Sequence, residues 1–284
     1  MLFAADEAVI ACDVCGGTRL RPVAPEANIV QCDACGYRFV SPRPSQAAIA
    51  AAYSDPHFYD GWVAADAGRL RMWRKRLKQV RQMARSPNLL DVGAGIGTFL
   101  AMARNEAGWR VVGTEVSTAA INLARERHGI EMLAGNVEEL SIAPASFNVV
   151  TLWHVLEHVP SPTRLLQACH RLLAPNGILV IAVPNDSESR QLPGRLKRLI
   201  GRRLSPPRYQ PLSIGSEIHL SHFTLPVLRQ LLNKEGFEVL KVTVDDQYPE
   251  PTWRSELLIG LYRAVLGLTG KNLGQAMLVV ARRV

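Results

Sequence analysis

Leu90-Asp91-Val92-Gly93-Ala94-Gly95-Ile96-Gly97 decides the fold. Residues 89–92 form a short apolar run that reads as a buried strand, and a helical pattern starts near Phe99, so the glycines fill the turn between them. Glycine at alternate positions frees the backbone to adopt angles barred to bulkier residues and to pass close to a ligand. A turn of this kind at the C-terminal end of a strand is where open α/β sheets bind cofactors. Dinucleotide loops space their glycines differently, leaving helix amides aimed at a pyrophosphate. Here Gly93, Gly95 and Gly97 are each two apart, and the Asp91 carboxylate at the loop mouth repels pyrophosphate and attracts a cationic ligand. Glu115, 18 residues beyond Gly97, closes the next apolar strand, where its carboxylate can accept both hydroxyls of a ribose.

Working outward, strand and helix patterns alternate. Strands are expected at 110–115, weakly at 130–134, and at 147–152, 177–183, 237–244 and 275–282. Helices are expected at 118–128, 161–173, 224–234 and 253–268. Ser161-Pro162 suits a helix start, and Thr224 is a candidate cap. Short apolar strands separated by helices predict an α/β fold, an open Rossmann-like sheet with helices on both faces.

These motifs carry a resemblance. LLDVGAGIGTFL (89–100), VVGTEVS (111–117), AGNVEEL (134–140), FNVVTLWHVLEHV (147–159) and RLLAPNGILVIAVPN (171–185) resemble the class I S-adenosylmethionine-dependent methyltransferases, over residues 88–284. The resemblance implies a seven-stranded sheet in the order 3-2-1-4-5-7-6 with the last strand antiparallel. It implies S-adenosyl-L-methionine as cofactor, with Asp91, Gly93, Gly95 and Gly97 around its methionine part, Glu115 on the ribose, Asn136 and Val137 at the adenine, and Trp153 beside it. Many members carry aspartate where Asn136 stands; the asparagine oxygen can still accept from the adenine amino group.

Leu152-Trp153-His154-Val155-Leu156-Glu157-His158 leaves the fourth strand of that sheet. If it continues helically, His154, Glu157 and His158 share a face. One histidine can then act as general base on a hydroxyl, or the three can hold a divalent metal that acidifies one. The segment resembles quinone-biosynthesis O-methyltransferases, whose acid-x-x-acid-His pattern holds a metal. His154 replaces the first acid, a poor ligand for a hard ion such as magnesium. A Glu157–His158 pair that only caps the turn is the structural alternative. His219 and His222, in His219-Leu220-Ser221-His222-Phe223-Thr224, are the other candidate bases.

Cys12-x-x-Cys15 and Cys32-x-x-Cys35, separated by 16 residues and each followed by glycine, fit a four-cysteine, closed zinc site. Residues 1–44 are therefore expected to form a zinc-ribbon-like knuckle with structural zinc, residues 45–87 a helical linker or cap, and 88–284 the catalytic domain. A lid or substrate insert is expected at 185–217. Cys169 falls on an apolar helix face and reads as core. In 69–85, Leu70, Trp73, Leu77, Val80 and Met83 form a buried stripe and the basic residues between them a solvated face. Tyr53, His57, Phe58 and Tyr59 either cover a small-molecule pocket or pack between domains.

The chain has 284 residues, 48% of them hydrophobic, and a net charge of +8, which excludes disorder and coiled coil as its main character. No apolar run approaches a membrane span, and no signal peptide is apparent, so the expected location is cytoplasmic. The basic excess concentrates in the insert, at Arg190, Arg195, Lys197, Arg198, Arg202, Arg203 and Arg208. It suits a phosphorylated or nucleotide-linked acceptor, or peripheral contact with an anionic membrane. Nucleic acid is disfavoured: residues 12–35 hold only Arg19 and Arg21 as basic residues, and Tyr209 is the lone aromatic of the insert. Helix 253–268, with Trp253, Leu257, Leu261, Tyr262, Val265 and Leu266 largely on one side, is open to packing on the sheet, dimer contact or membrane contact. The favoured reading is methyl transfer to a small-molecule hydroxyl. The alternatives are C-methylation of a nucleotide-linked sugar, an RNA or protein methyltransferase, and a noncatalytic cofactor-binding scaffold.

Overall fold

A computed structural model describes residues 3, 7–84, 86–186, 209–213, 217–245 and 253–284. The main sheet contains β4 (Asn88–Val92), β5 (Arg110–Glu115), β6 (Leu133–Ala134), β7 (Phe147–Trp153), β8 (Leu173–Pro184), β10 (Phe237–Val244) and β11 (Ala276–Arg283). Their spatial order is β6-β5-β4-β7-β8-β11-β10, which is 3-2-1-4-5-7-6 in domain numbering, as the resemblance implies. The β4–β5, β5–β6, β4–β7 and β7–β8 pairs are parallel; β11 runs antiparallel to both β8 and β10.

Side-chain alternation along the strands divides the core into two layers. In β8, Leu179, Ile181 and Val183 join Leu165, Leu172, Leu228 and Leu231. Ile178, Val180 and Ala182 instead join Leu77, Val80, Phe99 and Leu100. Helix Pro162–Leu172 begins as its sequence suggests: Ser161 Oγ accepts from the Arg164 amide and Pro162 opens the first turn. Cys169 is fully buried. Helix Leu225–Lys234 starts after Thr224, whose side chain makes no cap hydrogen bond. The expected strand at 130–134 shrinks to two residues, while β8 begins at Leu173 because that residue pairs with Phe147.

The cysteine knuckle is built into the rest of the fold. β1 (Leu20–Ala24), β2 (Ile29–Cys32) and β3 (Arg38–Val40) form an antiparallel sheet whose fourth strand, β9 (Ser221–His222), comes from far along the chain. Tyr37 stacks on Phe223, with ring centroids 5.5 Å apart, and its hydroxyl lies 2.5 Å from Ser221 Oγ. Asp13 accepts from Ser161 Oγ and from the Thr163 amide, both at 2.8 Å. Cys12, Val14, Cys32, Tyr37 and Phe39 share one core with Leu165 and Leu166.

Helix Asp66–Met83 buries Leu77 and Val80 and packs Leu70, Trp73 and Met83 against the same layer, as its stripe predicts. Its basic residues do not all face solvent: Arg76 is 2% exposed. Helix Trp253–Thr269 buries Ile259 and leaves Trp253, Leu257 and Leu261 exposed at 73%, 68% and 57%. Among the described residues no helix is long and apolar enough to cross a membrane. The seven basic residues named in the insert lie outside the described residues; its ends are described, with Asn185 and Asp186 buried and Tyr209 donating to Asp186 at 2.8 Å.

Candidate active site

A cavity of about 490 Å³ opens where β4, β5 and β7 end, a volume within the range of small-molecule sites. Asp91, Gly93, Gly95, Glu115, Asn136, Val137, Trp153, His154 and His158 all line it, together with Tyr53, Phe58 and Tyr59 of the preceding helical segment. His57 does not; it is exposed and bonded to Asp60. Gly97 also stands outside the lining. A Cβ there would lie 2.9 Å from Ala124 Cβ, so its lack of a side chain lets helix Thr98–Ala107 approach helix Thr118–His128.

Asp91 and Glu115 are both buried at the cavity wall. Thr151 Oγ1 donates to Asp91 Oδ1 at 2.6 Å, and burial raises the Asp91 carboxyl to about 7 despite that bond. Glu115 collects three backbone amides, those of Gly95, Val116 and Ser117, at 2.8 to 2.9 Å. Burial raises its pKa while those donors lower it. Glu115 thus fixes the glycine loop and the start of the next helix at once. Gly93 lies at φ +66°, and a Cβ on it would meet Val155 Cγ2 at 2.7 Å, so the backbone approach requires glycine.

The segment after β7 does not turn helically. His154 takes φ +56°, a left-handed conformation uncommon for a non-glycine residue, and residues 156–158 form a turn. The turn still brings His154 Nδ1 within 3.2 Å of Glu157 Oε1, while its Nε2 lies 3.5 Å from Asp245 Oδ2. Burial alone would lower the His154 pKa, but hydrogen bonds to Asp245 and Glu157 raise it, to about 9. The two carboxylates favour the protonated ring, while Arg76 Nη2, which can only donate, lies 3.3 Å from Nε2 and opposes it.

His158 differs. Its Nδ1 lies 2.7 Å from the Ile218 carbonyl, which only accepts, so Nδ1 carries the proton and Nε2 the lone pair. Burial holds its pKa below the usual histidine value. The Tyr53 hydroxyl, 2.9 Å from Nδ1, further fixes the ring. His219 lies outside the cavity lining, with its ring centroid 4.8 Å from that of His158 and its Nε2 3.6 Å from Glu217. His222 sits on β9 opposite Arg38, outside the lining, with Nε2 buried and unpartnered. Burial lowers its pKa to about 3.

Ligand atoms of Glu157, His158 and His219, rather than the His154 set, gather within 4.8 Å of one another. His154 takes Glu157 Oε1, while Glu157 Oε2 is buried without a hydrogen-bond partner among the described residues, so this group is a second candidate cation site. The cysteine cluster is the better metal site. Cys12 Sγ and Cys35 Sγ are 3.5 Å apart, Cys15 Sγ and Cys32 Sγ 3.6 Å, close to the separation of about 3.8 Å that four thiolates around a tetrahedral zinc adopt.

Sequence reading missed Arg76 and Asp245. Arg76 Nη2 lies 2.5 Å from Asp245 Oδ2, and its guanidinium sits 4.8 and 4.9 Å from the ring centroids of Trp73 and Trp153. Arg76 belongs to an arginine-rich helix face, and only tertiary packing distinguishes it from its exposed neighbours.

Residues 63–242 match the methyltransferase domain family. A ubiquinone biosynthesis O-methyltransferase of Paracidovorax citrulli is 36% identical over 105 residues, 34% of this chain and 43% of that protein. A demethylmenaquinone methyltransferase of Listeria welshimeri is 29% identical over 130 residues, 43% and 54% of the two chains. The chain thus spans about half the length of these curated relatives. Among solved structures, magnesium protoporphyrin IX methyltransferase of Synechocystis aligns with TM-score 0.54 at 12% identity, covering 84% of this chain and all of that one. An S-adenosylmethionine-dependent methyltransferase of Mesorhizobium loti aligns with TM-score 0.51 at 18% identity, covering 74% and 96%. At such identities these two establish likeness of fold.

Proposed function

The chain belongs to the methyltransferase domain family, and from that premise we propose that it moves a methyl group from S-adenosylmethionine to a hydroxyl oxygen of a small molecule, with His158 as general base. The observation that carries this reading is a neutral imidazole, its Nδ1–H anchored on the Ile218 carbonyl, in the wall that also presents Asp91 and Glu115. The relative named as an O-methyltransferase supports oxygen as the nucleophile.

The sulfonium supplies an activated methyl group, so the protein's work is alignment, water exclusion and removal of one proton. Asp91 faces the cationic methionine end, Glu115 the ribose, and Asn136 with Val137 the adenine. Tyr53, Phe58, Tyr59 and Trp62 cover the cavity with aromatic surface. The acceptor hydroxyl proton passes to His158 Nε2 while its oxygen bonds to the methyl carbon and the carbon–sulfur bond breaks, releasing the donor as S-adenosylhomocysteine. His154, bonded to Glu157 through Nδ1, positions that carboxylate and through it the turn that carries His158. Cys12, Cys15, Cys32 and Cys35 hold a structural zinc that takes no part in the transfer.

The test is a tritium-methyl transfer assay against a panel of phenols and catechols, run with wild type and His158→Gln. Loss of about 10²- to 10⁴-fold in turnover, with S-adenosylmethionine affinity intact, is the expected result. Unchanged turnover in His158→Gln would remove His158 as base.

A further inference from the structure

Tyr53 closes helix Gln46–Tyr53 and lines the cavity beside His158. It is pinned at both ends. Ser117 Oγ donates to its carbonyl at 2.6 Å, and its hydroxyl accepts the Ile218 amide at 3.1 Å. The same hydroxyl lies 2.9 Å from His158 Nδ1, whose proton is committed by the Ile218 carbonyl 2.7 Å away. A protonated Nδ1 has no lone pair, so Tyr53 cannot donate to it. The phenol proton is therefore left without a protein acceptor among the described residues. Burial raises the pKa of the hydroxyl, so that proton stays in place.

We propose that Tyr53 is a specificity-determining donor, its phenol O–H received by a second oxygen on the carbon next to the reacting hydroxyl of the acceptor. The proposal rests on the reading of His158 as general base in this cavity. Nδ1 and Nε2 flank a single carbon of the imidazole, so Tyr53 Oη and the His158 lone pair stand little more than one ring apart. Oxygens on neighbouring carbons can meet both. One hydroxyl gives its proton to Nε2 as its oxygen bonds to the methyl carbon and the carbon–sulfur bond breaks. The neighbouring oxygen only accepts from Tyr53, which keeps its proton throughout. Phe58, edge-on to the Tyr53 ring with centroids 5.0 Å apart, helps hold the donor in place. The acceptor class is then an o-alkoxyphenol, a vicinal diol or an α-hydroxy carbonyl. An isolated hydroxyl would leave the Tyr53 donor unmet, which a site of this kind penalises.

Two phenols of nearly the same shape test this: 2-methoxyphenol, and 2-ethylphenol, in which a methylene replaces the accepting oxygen. Turnover of each by wild type and Tyr53→Phe is followed with tritium-methyl S-adenosylmethionine on the full-length, zinc-loaded protein. The same pair is titrated calorimetrically into the S-adenosylhomocysteine complex, which reads the preference without chemistry. Wild type is expected to favour 2-methoxyphenol about three- to tenfold in kcat/KM and in affinity. Tyr53→Phe should erase that preference through a loss on 2-methoxyphenol alone. Turnover of 2-ethylphenol and the acid limb of its pH profile should stay as in wild type, which also reports an intact fold.

An equal loss for both phenols, with the acid limb displaced, would overturn the proposal and leave Tyr53 as a residue that only orients His158. Equal treatment of the two phenols by wild type would overturn it as well. The base reading fails separately, if His158→Gln keeps wild-type turnover of 2-ethylphenol, a substrate outside the reach of the Tyr53 donor. If wild type binds and methylates neither phenol, the oxygen-acceptor reading and the Tyr53 proposal fall together, while S-adenosylhomocysteine binding still reports on the donor site.

Discussion

Arg76 and Asp245 meet at 2.5 Å with side chains only 3% and 1% exposed, and His154 Nε2 lies 3.5 Å from the same carboxylate oxygen. Burial opposes ionisation of Asp245, but the Arg76 charge beside it keeps its carboxyl well below the usual range. The pair ties helix Asp66–Met83 to the residue that follows β10. Removing one partner leaves a buried charge uncompensated, so Arg76→Ala or Asp245→Ala should each destabilise the fold by about 3–5 kcal/mol in urea unfolding. Arg76→Met with Asp245→Leu should recover much of that loss. If the two single losses simply add in the double variant, the buried pair is not the source.

The two histidines of the turn should separate in pH. His154 has its folded pKa raised, so the stability it contributes is fully present below its unfolded value near 6.5 and is lost as pH rises through about 9. His158 has its pKa lowered, so it keeps its lone pair below pH 6.5 and stops accepting a proton only under more acid conditions. Thermal unfolding of wild type should therefore weaken between pH 6.5 and 9 in a way that His154→Gln abolishes. The acid limb of turnover should lie below pH 6.5 and vanish in His158→Gln.

The sheet and the glycine loop were legible because period-2 burial and glycine geometry are written locally. Asp91, Glu115, Asn136 and Val137 line the cavity at the motif positions that the resemblance singles out. The geometry of the histidines was not legible in this way. A helical continuation would put His154, Glu157 and His158 on one face, but a left-handed His154 puts the chain into a turn, and a carboxylate 91 residues beyond His154, Asp245, bears on its charge. His222 is a candidate base in the sequence; pairing with Arg38 takes it onto the cysteine-bearing sheet. Such choices depend on partners distant in sequence, which no local pattern contains.

Stripping metal from the cysteine cluster should reach the active site through β9. The Glu157 carbonyl accepts the amides of Leu220 and Ser221 at 2.8 and 3.0 Å, and Val40 donates to the Leu220 carbonyl at 2.9 Å. The sheet that carries Cys32 therefore holds the strand that pins the turn bearing His158. Chelation, or Cys32→Ser, should release one zinc per chain, lower the melting temperature by more than about 5 °C and cut turnover, while far-UV dichroism of the main sheet persists. Full activity in zinc-free protein would disconnect the knuckle from the turn.

Gly93 and Val155 give the sharpest test of the loop. A Cβ at Gly93 meets Val155 Cγ2 at 2.7 Å, and the residue's φ of +66° strains any side chain there independently of that clash. Gly93→Ala should therefore cost stability by about 1–3 kcal/mol and weaken S-adenosylmethionine binding, because the displaced backbone carries the loop toward the donor. Val155→Ala removes the clashing methyls but not the backbone strain. The double variant should accordingly regain only part of the loss, and a double-mutant cycle on unfolding free energy measures that share. Complete recovery would mean that contact with Val155 alone demands glycine. No recovery would mean that the left-handed backbone does.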